Sequence, residues 1–214
     1  VAEVVRRAQA AALMRELGHD FVASNLDDDL MDDVTNRLRD LVELVRSAPS
    51  RSALTRADGI RGFQSAAADS GPGAKHRLLS DSIVSGGANP MGLGAELWRE
   101  DDTAFMRVTL GKAFEGAPGR AHGGILAALL DETMGLVNAM EGILAYTVQL
   151  DITYLAPAPI DEPITSHASV VGRDGRKITV EGVVEAGELL IARATGLFVT
   201  VDTAKFLAHL DPES

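Results

Sequence analysis

The chain has 214 residues, 46% of them hydrophobic and 24% charged, with a net charge of −11 and no cysteine. This length and apolar content fit one domain with an extension and exclude disorder throughout, and no apolar run approaches the roughly 18 residues of a membrane-spanning helix. The missing cysteines exclude disulfides, thiolate metal sites and a cysteine nucleophile, while the negative charge opposes general adhesion to nucleic acid or anionic lipid.

Residues 1–47 read as a helical leader. Val4, Val5, Ala8, Ala11, Ala12 and Leu17 mark a first helix, with Gly18 as its expected stop. The opening residues lack a compact apolar core followed by a small-residue cleavage site, so no secretory signal is read there and a cytoplasmic location is expected. In the second helix Leu30, Val34, Leu38, Leu41, Val42 and Val45 form one apolar stripe. Asp27, Asp28 and Asp29 crowd its first turn, where the helix dipole favours negative charge, and Ser47 and Pro49 end it. From 48 to about 90 Gly, Ser, Ala and Pro dominate, which reads as a linker or lightly ordered loop, with the linker proper at 48–78.

The domain proper spans 79–203, followed by a tail at 204–214. "GAELWRE" and "AFMRVTL" read as two strands around Glu100–Asp101–Asp102. "GILAALLDETMGLVNAM" is too long for a strand and apolar on nearly every side, which predicts a buried helix. Four strands follow: "AYTVQLDITYL", "ITSHASVVG", "KITVEGVVE" and "LLIARATGLFVTV", the last three joined by short turns as an antiparallel meander. A single long apolar helix with an antiparallel sheet implies an α+β fold in which the sheet wraps the helix.

The stretch "EGAPGRAHGGILAALLDE" carries the chemistry. Gly123 and Gly124 open the helix, where backbone can be approached closely and the first N–H groups lack internal partners. Such an end suits a developing oxyanion; equally, the glycines shape a turn that His122 caps. Asp131, midway along an apolar helix, is costly unless it has partners or faces a cavity. It reads as a base or nucleophile, or as part of a polar seam with Glu132, with at most one of the two pointing inward. Eight residues of helix separate Gly123 from Asp131, about 12 Å, so the two can serve one reaction only if they come from different copies, as in a two-fold dimer. Thr147, on the strand after the helix, either orients a water or fills a strand position. Arg173, Arg176 and Lys177 at the "GRDGRK" turn form a local basic cluster able to grip phosphates or simply solvated. His76, His167 and His209 are scattered and no metal, P-loop or dinucleotide motif occurs, so neither metal nor cofactor is expected.

"HGG" with Asp131 nine residues after His122, then "YTVQLDITYLAPAP", resembles the hotdog-fold acyl-CoA thioesterases of the phenylacetate-pathway (PaaI-like) type. "NPMGL", "FEGAPGRAHGG" and "GRDGRK…EGVVEAGELLIARATGLFVTV" resemble that family too, from about Leu79 to Asp202. The resemblance implies a hotdog fold, a homodimer that can pair again into a tetramer, and hydrolysis of acyl-CoA thioesters. It implies Asp131 as the catalytic carboxylate, the Gly123 N–H as oxyanion donor, His122 positioning the thioester and Thr147 assisting the water. Gly124 and Asn89, and Arg173, Arg176 and Lys177 for the CoA phosphates, are the implied substrate contacts. Some members of that family have Asn six residues before the histidine, where this chain has Gly116. Two other readings stand beside hydrolysis: a non-catalytic acyl-CoA sensor and a hotdog-fold enoyl-CoA hydratase. A DNA-binding leader fits poorly, since residues 1–60 hold eight Arg and no Lys against eleven acidic residues. The stripe from Leu30 to Val45 is instead expected to pack on the sheet or on a partner subunit.

Overall fold

In a computed structural model of the protein the described residues are 2–50 and 81–202. Most of the expected linker, its His76, and the tail with His209 lie outside them. The described elements are α1 (Ala2–Ala23), α2 (Asp28–Arg46), β1 (Glu96–Glu100), β2 (Thr103–Thr109), a short 3-10 turn (Lys112–Phe114), α3 (Gly123–Met140), β3 (Ala145–Tyr154), β4 (Pro163–Asp174), β5 (Lys177–Ala186) and β6 (Leu189–Thr200). The strands make one six-stranded antiparallel sheet in the order β1-β2-β4-β5-β6-β3, as a sheet wrapped on one helix requires. This is the hotdog architecture.

The period-2 pattern explains the sheet. β5 buries Ile178, Val180, Gly182 and Val184 on one face, and β6 buries Ile191, Ala192, Ala194 and Phe198. Against that face α3 places Leu126, Leu129, Leu130, Met134 and Val137. Two strand glycines let the helix lie close. A Cβ on Gly182 would stand 3.1 Å from Met134 Cε, and one on Gly196 3.0 Å from Met134 Sδ and 2.8 Å from the Phe198 ring. The Met134 thioether thus fills the groove the two glycines leave.

Two expectations are revised. Gly18 does not stop α1, which continues to Ala23. An interior glycine costs only about 1 kcal/mol, and the residues around Gly18 are anchored. The Arg15 guanidinium donates to the carbonyls of Asn89 (2.7 Å) and Gly87 (3.3 Å). His19 Nδ1 accepts the Ala113 N–H (3.1 Å), and its ring meets Phe114 edge-on at 5.1 Å. The second revision concerns residues 81–90, which pack onto the domain rather than forming a loose loop. Val84, Ser85 and Ala88 are buried, and Leu93 and Ala95 donate backbone hydrogen bonds to Ile83 and Val84.

α2 matches its expected bounds. Asp27 caps it by accepting the Leu30 N–H (2.9 Å), and Ser47 closes it. It buries none of its residues.

Candidate active site

The loop before α3 is built by three close approaches. Glu115 and Ala121 bridge, Gly116 N–H donates to the Arg120 carbonyl (2.9 Å), and Gly119 turns the chain at φ 73°. His122 is the N-cap of α3, its Nδ1 accepting the Gly124 N–H at 3.0 Å. With Nδ1 accepting, the neutral ring carries its proton on Nε2. The capping reading of His122 therefore holds in the structure.

Gly123 is the first residue of the helix, and its N–H has no acceptor among the described residues. Its carbonyl accepts the Tyr154 hydroxyl at 2.9 Å, which ties the start of α3 to the end of β3. A cavity of about 490 Å³ opens here, lined by Gly116, Arg120, His122, Gly123, Leu126 and Tyr154 among others. An unpaired N–H at the positive end of a helix, facing an apolar-walled cleft, is placed to stabilise negative charge on a bound oxygen.

Asp131 does not line this cavity. It is half-buried on the side of α3 facing β3, where Oδ1 accepts the Thr147 hydroxyl at 2.7 Å. Oδ2 has no hydrogen-bond partner among the described residues. Thr147 is thus a carboxylate-orienting group within its own chain, at the β-bulge between Thr147 and Gln149.

Glu132 has a different task. Its carboxylate accepts the Ser82 hydroxyl, the Ser85 hydroxyl and the Ser85 N–H (3.0 Å). The expected single inward carboxylate is thus two carboxylates, both half-buried and both partnered, about 100° apart around the helix. The strapping of residues 82–85 by Glu132 went unread in the sequence, although two serines spaced three apart in an otherwise apolar, glycine-rich stretch are its trace.

The remaining expected contacts are scattered. Asn89 makes a turn, its side chain donating to the Asp81 carbonyl (3.1 Å) and accepting the Met91 N–H (2.9 Å), and it does not line the cavity. Gly124 lies next to Gly123 with its N–H taken by His122. Arg173 pairs with Glu141 just beyond the C-terminus of α3, and Arg176 donates to the Thr200 carbonyl (3.0 Å). Lys177 is exposed. This turn therefore lies at the far end of α3 from Gly123, about 26 Å along the helix. Gly116 is packed so that a Cβ there would stand 2.9 Å from His122 Cα, leaving no room for a side chain. Tyr154 and Arg120 are cavity residues that the sequence did not single out. Among the described residues no group of three or more His, Cys, Asp or Glu could hold a metal ion, and no helix is long and apolar enough to cross a membrane.

Comparison with known proteins points to one superfamily. Residues 118–192 match the Thioesterase superfamily. A 97-residue stretch covering 44% of this chain is 33% identical to acyl-coenzyme A thioesterase THEM4 of Mus musculus, over 42% of that protein. An 81-residue stretch, 36% of this chain, is 38% identical to an uncharacterized acyl-CoA thioester hydrolase of Zymomonas mobilis, over 54% of that protein. The chain thus spans about half the length of the curated relatives it matches. The crystal structure of RHA08564, a thioesterase superfamily protein, superposes with a TM-score of 0.73 at 24% identity, covering 90% of each chain.

Proposed function

We propose that this chain, whose residues 118–192 match the thioesterase superfamily, hydrolyses acyl-CoA thioesters to free acid and CoA at a site shared between two subunits. The observation that carries this reading is the unpaired Gly123 N–H at the mouth of the cavity, with Asp131 held ready by Thr147 one helix face away. The thioester carbonyl oxygen sits against that N–H, and His122 and Tyr154 wall the cleft. In one route the Asp131 carboxylate of the second subunit draws a proton from a water whose oxygen attacks the carbonyl carbon, the C–S bond breaks, and that proton passes to the leaving sulfur as the acid and the CoA thiol depart. In the other it attacks the carbonyl carbon itself, the C–S bond breaks with the thiolate taking a proton from water, and a second water cleaves the resulting mixed anhydride to free acid and the restored carboxylate.

The edge strand supports the dimer. Among the described residues β3 pairs only with β6, and it exposes Tyr146, Val148 and Tyr154 over ten residues. A long apolar edge is a pairing template. Antiparallel pairing of β3 with its copy about a two-fold axis extends the sheet and sets the two α3 helices side by side in opposite directions. The same operation carries the partner's basic turn, at the far end of its own α3, past the cavity mouth, where Arg176 and Lys177 can meet CoA phosphates.

Hydrolysis is read directly as released thiol, without protein background because the chain has no cysteine. With a panel of short, long and aryl acyl-CoAs, Asp131→Asn should lower turnover by about 10²–10⁴. Unchanged hydrolysis in this variant refutes the assignment of Asp131. No hydrolysis of any acyl-CoA by the wild type, with CoA ligands still bound, would make the chain a sensor instead.

A further inference from the structure

The α2 helix presents an apolar face that the described structure leaves uncovered. Leu30, Val34, Leu38, Leu41 and Val45 fall within an arc of about 80° on the 3.6-residue period. Leu30, Leu38, Leu41 and Val45 are 47%, 38%, 52% and 63% exposed. Met31, Val42 and Leu44, also exposed, widen the stripe. An uncovered stripe of this size on a well-capped helix marks an interaction surface.

Two features of the helix say what covers it. The first is the spacing. Leu30 stands as far before the point between Arg37 and Leu38 as Val45 stands after it, and Val34 stands as far before it as Leu41 after. Met31 and Leu44 are related in the same way. Reversing the helix about that point therefore lays these six side chains opposite one another and sets the two copies of Leu38 beside each other next to the axis. An isologous two-fold contact needs this property, and an unrelated partner does not impose it.

The second is the charge. Asp28, Asp29, Asp32 and Asp33 lie within the first six residues of α2, a charge of −4, whereas the stretch from Arg37 on carries Arg37, Arg39 and Arg46 against Asp40 and Glu43, a charge of +1. A parallel pair of copies sets four acids against four acids. An antiparallel pair sets each acidic end against the arginine-bearing end of the other copy and opposes the two helix dipoles. In that register Asp28 of one copy and Arg46 of the other flank the stripe on the same side, one residue (about 1.5 Å) apart in level along the helix.

We infer that α2 pairs antiparallel with α2 of a second copy of this chain, about a two-fold axis passing between Arg37 and Leu38. The contact is separate from the β3 edge, and it stands or falls without reference to the hydrolytic site. It gives the leader a function, tying two domains together through a short helical pair.

The absence of native cysteine makes the test direct. Single variants Leu38→Cys, Val34→Cys and Leu41→Cys and the double variant Val34→Cys/Leu41→Cys are oxidised in the whole 214-residue chain and read on non-reducing gels. Leu38→Cys, beside the axis, should cross-link to its copy in most chains. Val34→Cys alone and Leu41→Cys alone should stay uncross-linked, because each lies about 10 Å along the helix from its own copy, beyond disulfide reach. The double variant should cross-link as fully as Leu38→Cys. Equal cross-linking at all three single positions would mean a parallel pair and overturn the inference. No cross-linking in any variant would mean that the stripe is covered by something other than its copy, and would overturn it equally. As a second measurement, Leu38→Glu/Leu41→Glu should abolish the pairing, read as a fall in cross-linking at Arg37→Cys placed in the same chain. Unchanged cross-linking there would also refute it.

Discussion

Removing the Glu132 carboxylate tests how the segment before β1 is held to the helix that carries Asp131. Glu132→Ala deletes the acceptor for two serine hydroxyls and for the Ser85 N–H, and Ser85 is only 1% exposed. Hydrogen bonds to a charged group are worth about 1.5–3 kcal/mol each, and a buried donor left without an acceptor costs about 1–3 kcal/mol. The three bonds share one carboxylate and Ser82 is only half-buried, so they do not add fully. A loss of about 3–4 kcal/mol is expected. In urea, with a slope of about 2 kcal/mol/M, the unfolding midpoint should fall by about 1.5–2 M. Glu132→Gln keeps an acceptor for Ser85, and its amide can donate to Ser82, whose hydroxyl accepts as readily as it donates. It should cost about 1 kcal/mol, a midpoint shift of about 0.5 M. A midpoint for Glu132→Ala within about 0.3 M of wild type, a loss under 1 kcal/mol on the same slope, would mean that the carboxylate is not holding residues 82–85.

Other perturbations read the site itself. Thr147→Val removes the hydrogen bond that orients Asp131 and should lower kcat about tenfold, the effect of one bond to a charged group, with KM little changed; a change confined to KM would contradict an orienting role. Gly116→Asn introduces the side chain that some members of the resembled family carry, but its Cβ meets His122 Cα, so stability should drop by about 1–3 kcal/mol and turnover should fall; faster turnover would show the loop has room for it. Arg176→Ala/Lys177→Ala should raise KM for acyl-CoA several-fold and leave KM for an acyl-pantetheine, which lacks the nucleotide phosphates, unaltered; equal effects on both would remove the turn from phosphate binding.

Local pattern carried most of the fold. The strand alternation, the all-round apolar helix and the acidic cap of α2 each follow from side-chain periodicity or terminal chemistry, and each recurs in the structure. Gly18 misled because a single glycine is a weak stop when Arg15 and His19 fasten the helix on either side to residues 72 and more positions away. Residues 81–90 misled for the same reason, since their order comes from Arg15 and Glu132, both distant in sequence. Within the proposed site, the open N–H of Gly123 was legible from helix chemistry, and its separation from Asp131 from helix length. Tyr154 was not, because its link to the Gly123 carbonyl depends on how β3 returns past the helix start. Neither was the crowding at Gly116, which arises only when the loop folds back on His122.

Subunit complementation addresses the shared site most directly. Gly123→Pro removes the N–H proposed to hold the oxyanion, at the helix position where proline is best tolerated. Asp131→Asn removes the carboxylate, and each variant alone should be inactive. Co-refolded together, half the dimers carry one chain of each kind, and each such dimer contains one intact site, so activity should return to about one quarter of wild type. Recovery no greater than that of the two inactive parents would place Gly123 and Asp131 in one chain's chemistry, or in none.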